Sequence, residues 1–148
     1  MSTERVAYVN GEILPESQAS VSINDRGFLY GDAVFDTTRT FNGEIFRLEQ
    51  HLDRFYESLR YMRIDSPIDK TEMKEITLKV LNKNLEILPD GDDYWVSQRV
   101  TRGVRGLPGG MNPTVIIECF PLPLEERADY YRDGIKMITS SIRRTATE

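Results

Sequence analysis

Residues 37–59, TTRTFNGEIFRLEQHLDRFYESL, read as a strand, a tight turn, a short second strand and a helix. Asn42 and Gly43 form the residue pair that tolerates the positive φ angles of a two-residue hairpin. Beyond it Leu48, Leu52, Phe55, Leu59 and Met62 recur at spacings of four and three, which predicts an amphipathic helix of about fifteen residues. Arg54 falls between Leu52 and Phe55, on the side nearest that apolar stripe. Arginine is seldom buried without an anion, because stripping its charge of water is costly. One reading makes Arg54 a fork for a phosphate or carboxylate. The other makes it a rim residue with its stem on the core and its guanidinium in water.

Working outward, VAYVNGEIL at 6–14 repeats the turn device at Asn10 and Gly11, and two hairpins so close together imply an antiparallel sheet. Between them, Gly27 and Gly31 bracket a short irregular segment that leads into the strand AVFDTTRT. Side chains alternate across a strand, so Phe35, Thr37 and Arg39 share one face while Val34, Asp36 and Thr38 share the other. An aromatic, a hydroxyl and a cation on one face suit a pocket for an amphipathic acid, or else an ordinary solvent face.

Downstream, a second helix is expected from about Thr71 to Leu85 with Met73, Ile76, Val80 and Leu81 inward, stopped by Pro89 and the acidic run DGDD. Two further strands, DYWVSQRVTRG and PTVIIECFPL, flank the Gly- and Pro-rich loop GVRGLPGGMN. The first puts Trp95, Ser97 and Arg99 on one face and is followed by Arg102 and Arg105 in glycine-flanked backbone, which suits an anion or simply a charged loop. PLPLEERADYYRDG has two prolines and no sustained periodicity and reads as an interdomain connection, after which GIKMITSSIRR starts a fresh strand. The expected organisation is therefore an α+β domain over 1–120, a connector over 121–133 and an incomplete second domain over 134–148.

A net charge of -5, from 19 basic and 24 acidic residues, argues against a general nucleic-acid binder. Cys119, the single cysteine, has no internal disulfide partner. The N-terminal residues lack the apolar run of a signal peptide or membrane span, so no membrane partner and a cytoplasmic location are expected. There is no phosphate-binding Walker loop, paired Cys-x-x-Cys or GxSxG elbow, and the one histidine, His51, cannot by itself make a zinc site, so no metal is expected.

In this order, INDRGFLYGDAVFDTTRTFNGEIFRLEQHLDRFYESL resembles the N-terminal domain of the class IV, fold type IV pyridoxal-phosphate enzymes, namely D-amino acid and branched-chain aminotransferases and aminodeoxychorismate lyase. The resemblance runs over nearly the whole chain, is strongest from Gly31–Asp32 through NGEIF to HLDRF, and VTRG leans toward the D-amino acid branch. It implies an α+β fold with a mainly antiparallel sheet and two helices, the start of a second, β-rich domain, and a homodimer with sites near the subunit boundary. It also implies pyridoxal 5'-phosphate as cofactor, with Arg54, the arginine of the HxxR pattern, on its phosphate. Tyr30, Phe35, Thr37, Arg39, Trp95, Ser97, Arg99 and Arg105 would face the substrate. Ser97 stands where some branched-chain members have arginine, and the loop after VTRG lacks the histidine that D-amino acid enzymes pair with an arginine on the substrate carboxylate.

The resemblance implies an aminotransferase exchanging an amino group between a D-amino acid and a 2-keto acid, with extension to (R)-amines. Branched-chain transamination or a lyase on the same scaffold is the alternative. No catalytic residue is expected in this chain, since the Schiff-base lysine of such enzymes follows a segment like SSIRRTATE. Lys70, Lys74, Lys79 and Lys83 lie in or beside the second helix on its solvent side, and Lys136 is too early to match. The chain thus reads as the front portion of a longer protein. A non-catalytic dimerisation or binding domain is the alternative if the gene ends at Glu148.

Overall fold

Both Asn-Gly pairs turn the chain by the geometry their side chains permit. Asn10 and Asn42 sit at φ of 48° and 52°, and Gly11 and Gly43 at 105° and 79°. These turns join β1 (Val6–Val9) to β2 (Glu12–Pro15) and β3 (Ala33–Phe41) to β4 (Glu44–Ile45). The computed structural model describes residues 4–105 and 112–142. Within them β5 (Tyr94–Thr101) and β6 (Val115–Pro121) complete a six-stranded sheet in the order β2-β1-β6-β5-β3-β4, every pairing antiparallel.

Register then decides which side chains share a face. Phe35 pairs with Arg99, Thr37 with Ser97 and Arg39 with Trp95, while Ile116, Glu118 and Phe120 of β6 continue the same row. The opposite face carries Val34, Tyr94, Val96, Val100, Val115, Ile117 and Cys119, and two helices close it. α2 (Leu48–Met62) contributes Leu48, Leu52, Phe55 and Leu59, whereas Met62 falls past the stripe and is exposed. α3 (Lys70–Leu85) adds Met73, Ile76, Val80 and Leu81. Asp69 starts α3 by accepting a hydrogen bond from Glu72 N at 2.8 Å, which satisfies one of the orphan amides of its first turn. Asn84, fully buried near its end, splices the helix to the sheet. Its amide accepts from Val6 N at 2.8 Å and donates to Val6 O at 2.9 Å.

Three local expectations change. The segment between Gly27 and Gly31 is a short helix, α1 (Arg26–Tyr30), because Asp25 caps it by accepting from Gly27 N at 2.7 Å and Gly31 leaves it at φ 67°. The expected interdomain connection, whose sequence predicts no helix, contains one, α4 (Leu124–Asp133). Pro123 stands just before its first turn, where a missing N–H costs nothing, and none of its residues is buried, so it carries no apolar stripe to be read. Four helices rather than two therefore occur among the described residues. Residues 134–142, expected to begin a strand, form none and leave Ile135, Met137, Ile138 and Ile142 exposed. Residues 143–148 and residues 106–111 of the Gly- and Pro-rich loop lie outside the described residues.

Candidate functional site

A carboxylate on the core face of a strand must find cations or hydrogen-bond donors, and Asp36 is 5% exposed between Val34 and Thr38. α2 supplies both partners from successive turns. Arg54 grips Asp36 with two bonds, Nε to Oδ2 at 2.8 Å and Nη2 to Oδ1 at 2.9 Å, and His51 Nδ1 lies 2.7 Å from Oδ1. At that distance from a carboxylate, Nδ1 carries the hydrogen, which leaves Nε2 as the free ring nitrogen. The 3.3 Å approach of Arg54 Nη2 to the same Nδ1 is then a contact between two donors rather than a hydrogen bond. Burial pushes the Asp36 carboxyl up, but the bonds and charges of Arg54 and His51 outweigh it and hold it below the usual carboxylate range. The same pairing raises Arg54 above its already high value.

The anion nearest Arg54 in this chain is therefore Asp36. Arg54 is not buried on the apolar stripe: 66% of its side chain remains exposed. Gripped through Nε and Nη2, the guanidinium keeps Nη1 without a partner among the described residues. It borders a concavity of about 240 Å³ with Phe46, Arg47, Gln50 and His51, at the first turn of α2. Phe46 and His51 also border a neighbouring concavity of about 420 Å³, shared with Thr37, Thr38, Arg39 and Trp95. The two meet around the edge of β3, where β4 pairs only with Thr40 and Phe41.

The remaining expected site residues fall into distinct settings. Thr37 donates to Ser97 at 3.2 Å, and Ser97 is 2% exposed, so the serine supports Thr37 rather than opening to a ligand. Arg39 stacks 4.0 Å over Phe41 and reaches Asp93 at 3.3 Å, whose carboxylate also accepts from Thr40 and Gly43. That arginine is spent on closing the β3–β4 hairpin. Trp95 is flanked by Phe120 at 5.3 Å and by Arg127 of α4 at 4.8 Å. Phe35, 64% exposed, lies under Arg99 at 5.7 Å in a third concavity of about 470 Å³, bordered also by Val21, Phe28 and Ile116. Tyr30 on α1 receives a hydrogen bond from Arg105 Nη1 at 2.9 Å.

Arg54, Thr37, Arg39 and Trp95 thus come together through Phe46 and His51, whereas Phe35 with Arg99 and Tyr30 with Arg105 stand further along the strip. Sequence reasoning missed Asp36 as the residue that aims Arg54, although a charged residue in the apolar row of β3 was a usable signal. It also missed Arg47 and Glu118, which no local pattern marks. Lys70, Lys74, Lys79 and Lys83 line the outer side of α3, with Lys70 and Lys74 paired to Asp53 and Glu49, and Lys136 is exposed. No described lysine borders these concavities.

Fold and site together define a small α+β unit that presents an aimed arginine beside an open sheet face. The family model described as amino-transferase class IV matches residues 33–147, and the chain belongs to that family. Among curated proteins it is 38% identical over 141 residues to the "Putative branched-chain-amino-acid aminotransferase" of Methanocaldococcus jannaschii, covering 93% of this chain and 46% of that protein. It is 30% identical over 135 residues to D-alanine aminotransferase of Bacillus licheniformis, covering 88% and 45%. The chain thus spans about half the length of the curated relatives it matches. Among solved structures, the branched-chain amino acid aminotransferase from Escherichia coli superposes at a TM-score of 0.68 and 24% identity, over 80% of this chain and 41% of that one. A branched-chain amino acid aminotransferase solved with pyridoxamine 5'-phosphate superposes equally well, at a TM-score of 0.68 and 23% identity, over 81% and 41%. These likenesses confirm the antiparallel α+β fold. No helix among the described residues is long and apolar enough to cross a membrane.

Proposed function

We propose that the complete protein is a pyridoxal-phosphate-dependent aminotransferase acting on a D-amino acid and a 2-keto acid, with extension to (R)-amines, and that it works as a homodimer. The observation that carries the cofactor part of this reading is the guanidinium of Arg54, aimed by Asp36 on a side chain that stays two-thirds exposed. A phosphate monoester dianion needs at least two positive or donating groups. Arg47 and Arg54 both border that concavity at the N-terminal end of α2, where the helix dipole favours an anion, and Asp36 neutralises only one of the two arginine charges. The residues present therefore fit the phosphate end of the cofactor. When bound, pyridoxal phosphate supplies an aldehyde that carries the amino group and a ring that withdraws electrons from the reacting carbon.

This chain's own residues have three tasks. Asp36, itself fixed by His51, holds Arg54 in one orientation, so little ordering remains to be done when the phosphate arrives. Trp95, Phe46 and Thr37 line the adjoining concavity and give it one aromatic wall. Phe35 and its neighbours offer an apolar surface to a substrate side chain. The lysine that would move the substrate proton is assigned to the remainder of the protein, and the exposed Ile135, Met137, Ile138 and Ile142 suit chain that continues into a packed second domain.

The D-amino acid reading draws support from the D-alanine aminotransferase relatives and from VTRG at 100–103. A branched-chain reading is favoured by the 38% identical archaeal relative. Assaying the complete protein with D-alanine and with L-leucine, each against 2-oxoglutarate, separates them. Clear preference for L-leucine overturns the first. Arg54→Ala should weaken pyridoxal phosphate binding by about one to two decades, matching the loss of one charge-assisted contact of roughly 1.5–3 kcal/mol. Unchanged affinity in an absorbance titration would reject the phosphate role.

A further inference from the structure

Most arginine–carboxylate pairs near the site are locked by additional bonds. Asp36 is held by His51 as well as Arg54, Asp93 by Thr40 and Gly43 as well as Arg39, and Asp32 by Arg26 and Arg102 together. One pair on the open face differs. Arg99 Nη2 approaches Glu118 Oε1 only to 3.5 Å, without hydrogen-bond geometry, and the two side chains are 42% and 36% exposed. Pairs this exposed contribute little to folding.

Their surroundings are unlike an ordinary charged surface. The adjoining concavity of about 470 Å³ is walled by Val21, Phe28, Phe35 and Ile116. Asp25 also borders it, but its carboxylate is consumed by Thr101, Thr114 and the amide of Gly27. Arg99 is thus the one cation bordering that concavity among the described residues, stacked on an exposed aromatic ring and loosely parked on a neighbouring carboxylate.

We propose that Arg99 is a side-chain selector with two positions, and that Glu118 is its resting partner. With an apolar substrate, the side chain packs on Phe35 and Ile116 while Arg99 stays on Glu118. With a dicarboxylic 2-oxo acid or its amino acid, the distal carboxylate takes the guanidinium from Glu118. The apolar walls then still receive the methylenes. One site thereby accepts both substrate classes without placing an unpaired charge against the apolar one. The cost of switching is low because the resting pair is loose and half-solvated. This inference rests on the aminotransferase reading for the chemistry, though not for the binding.

The test compares 2-oxoglutarate with 4-methyl-2-oxopentanoate as acceptors in the complete protein, for wild type, Arg99→Gln and Glu118→Gln. Losing a charge-assisted contact should raise the ratio of KM for the dicarboxylate over KM for the apolar acid by about 10- to 100-fold in Arg99→Gln. Glu118→Gln, which frees the arginine, should lower that ratio by about two- to fivefold. Opposite signs in the two variants are the signature. A ratio that does not move in Arg99→Gln, or that rises in Glu118→Gln, overturns the selector. Unchanged thermal unfolding of both variants excludes misfolding as the cause. Calorimetric titration with 2-oxoglutarate provides an arm independent of turnover. If the wild type transaminates nothing yet loses 2-oxoglutarate binding in Arg99→Gln, the catalytic reading fails and the selector stands. Equal binding by both proteins removes the selector whatever the activity.

Discussion

The two faces of the sheet, built from alternate residues of the same strands, have opposite fates. On one, Val34, Val96, Val100, Ile117 and Cys119 meet Leu52, Phe55, Met73 and Val80 and leave water almost completely. On the other, Phe35 is 64% exposed, and Arg99 and Glu118 share an open strip with Trp95 and Phe120. A strand that buries one face completely is free to spend the other on recognition, because register and stability are already secured by the first. Asp36 joins the two regions. It belongs to the closed face, yet its purpose there is to hold an arginine whose free edge lies outside.

If that division is right, substitutions on the closed face should dominate stability. Phe55→Ala removes a ring that is 1% exposed, and the expected loss is about 3–5 kcal/mol in urea unfolding. A loss below about 1 kcal/mol would mean that α2 does not close the core. Asp25→Ala, at the rim where α1 meets the open face, strips an acceptor from two threonine hydroxyls and one amide. It should cost about 1–3 kcal/mol, with the change concentrated in α1 by hydrogen exchange.

Acid provides a subtler probe of the joining residue. Because the folded protein holds the Asp36 carboxyl below its usual range, its pairing contributes stability that is fully present above the ordinary carboxylate pKa, about 4. That contribution is lost as pH falls through the lowered value. Asp36→Asn should therefore flatten the stability profile below about pH 4 and leave its slope near neutrality unchanged. A profile identical to wild type in acid would remove Asp36 from the linkage. Phe35→Ser should move unfolding least, by about 0.5 kcal/mol or less, since its ring has little to lose on the open face. The same change should weaken binding of 4-methyl-2-oxopentanoate to the complete protein. A large stability loss instead would show that the open face is part of the core.

Elements whose cause is local could be read in advance. Asn10-Gly11 and Asn42-Gly43 carry their own φ preferences, and the stripe from Leu48 to Leu59 needs only the helical period. α4 was missed because a helix with no buried residue has no stripe, and the two prolines of that stretch, Pro121 and Pro123, both stand before its first turn rather than inside it. Strand alternation gives the face of Arg39, which does border a concavity, but not its partner. Asp93, 54 positions away, reaches it only after β5 pairs with β3. Ser97 was on the right face and nonetheless ended up covered by its neighbours.

The amino-acid sequence alone determined the antiparallel plan, the two long helices, the pairing of His51 with Arg54 on one helix face, and the row of Phe35, Thr37 and Arg39. Each follows from rules that operate within a few residues: turn dihedrals, a period of two and a period of 3.6. Only the tertiary structure decided which charges were free. Arg54 is aimed by a carboxylate 18 positions earlier, Arg39 is claimed by Asp93, and Arg99 is left on a loose partner across β6. An ion pair is made by whatever carboxylate the packed strands and helices bring within about 3 Å, and no periodicity along the chain encodes that distance.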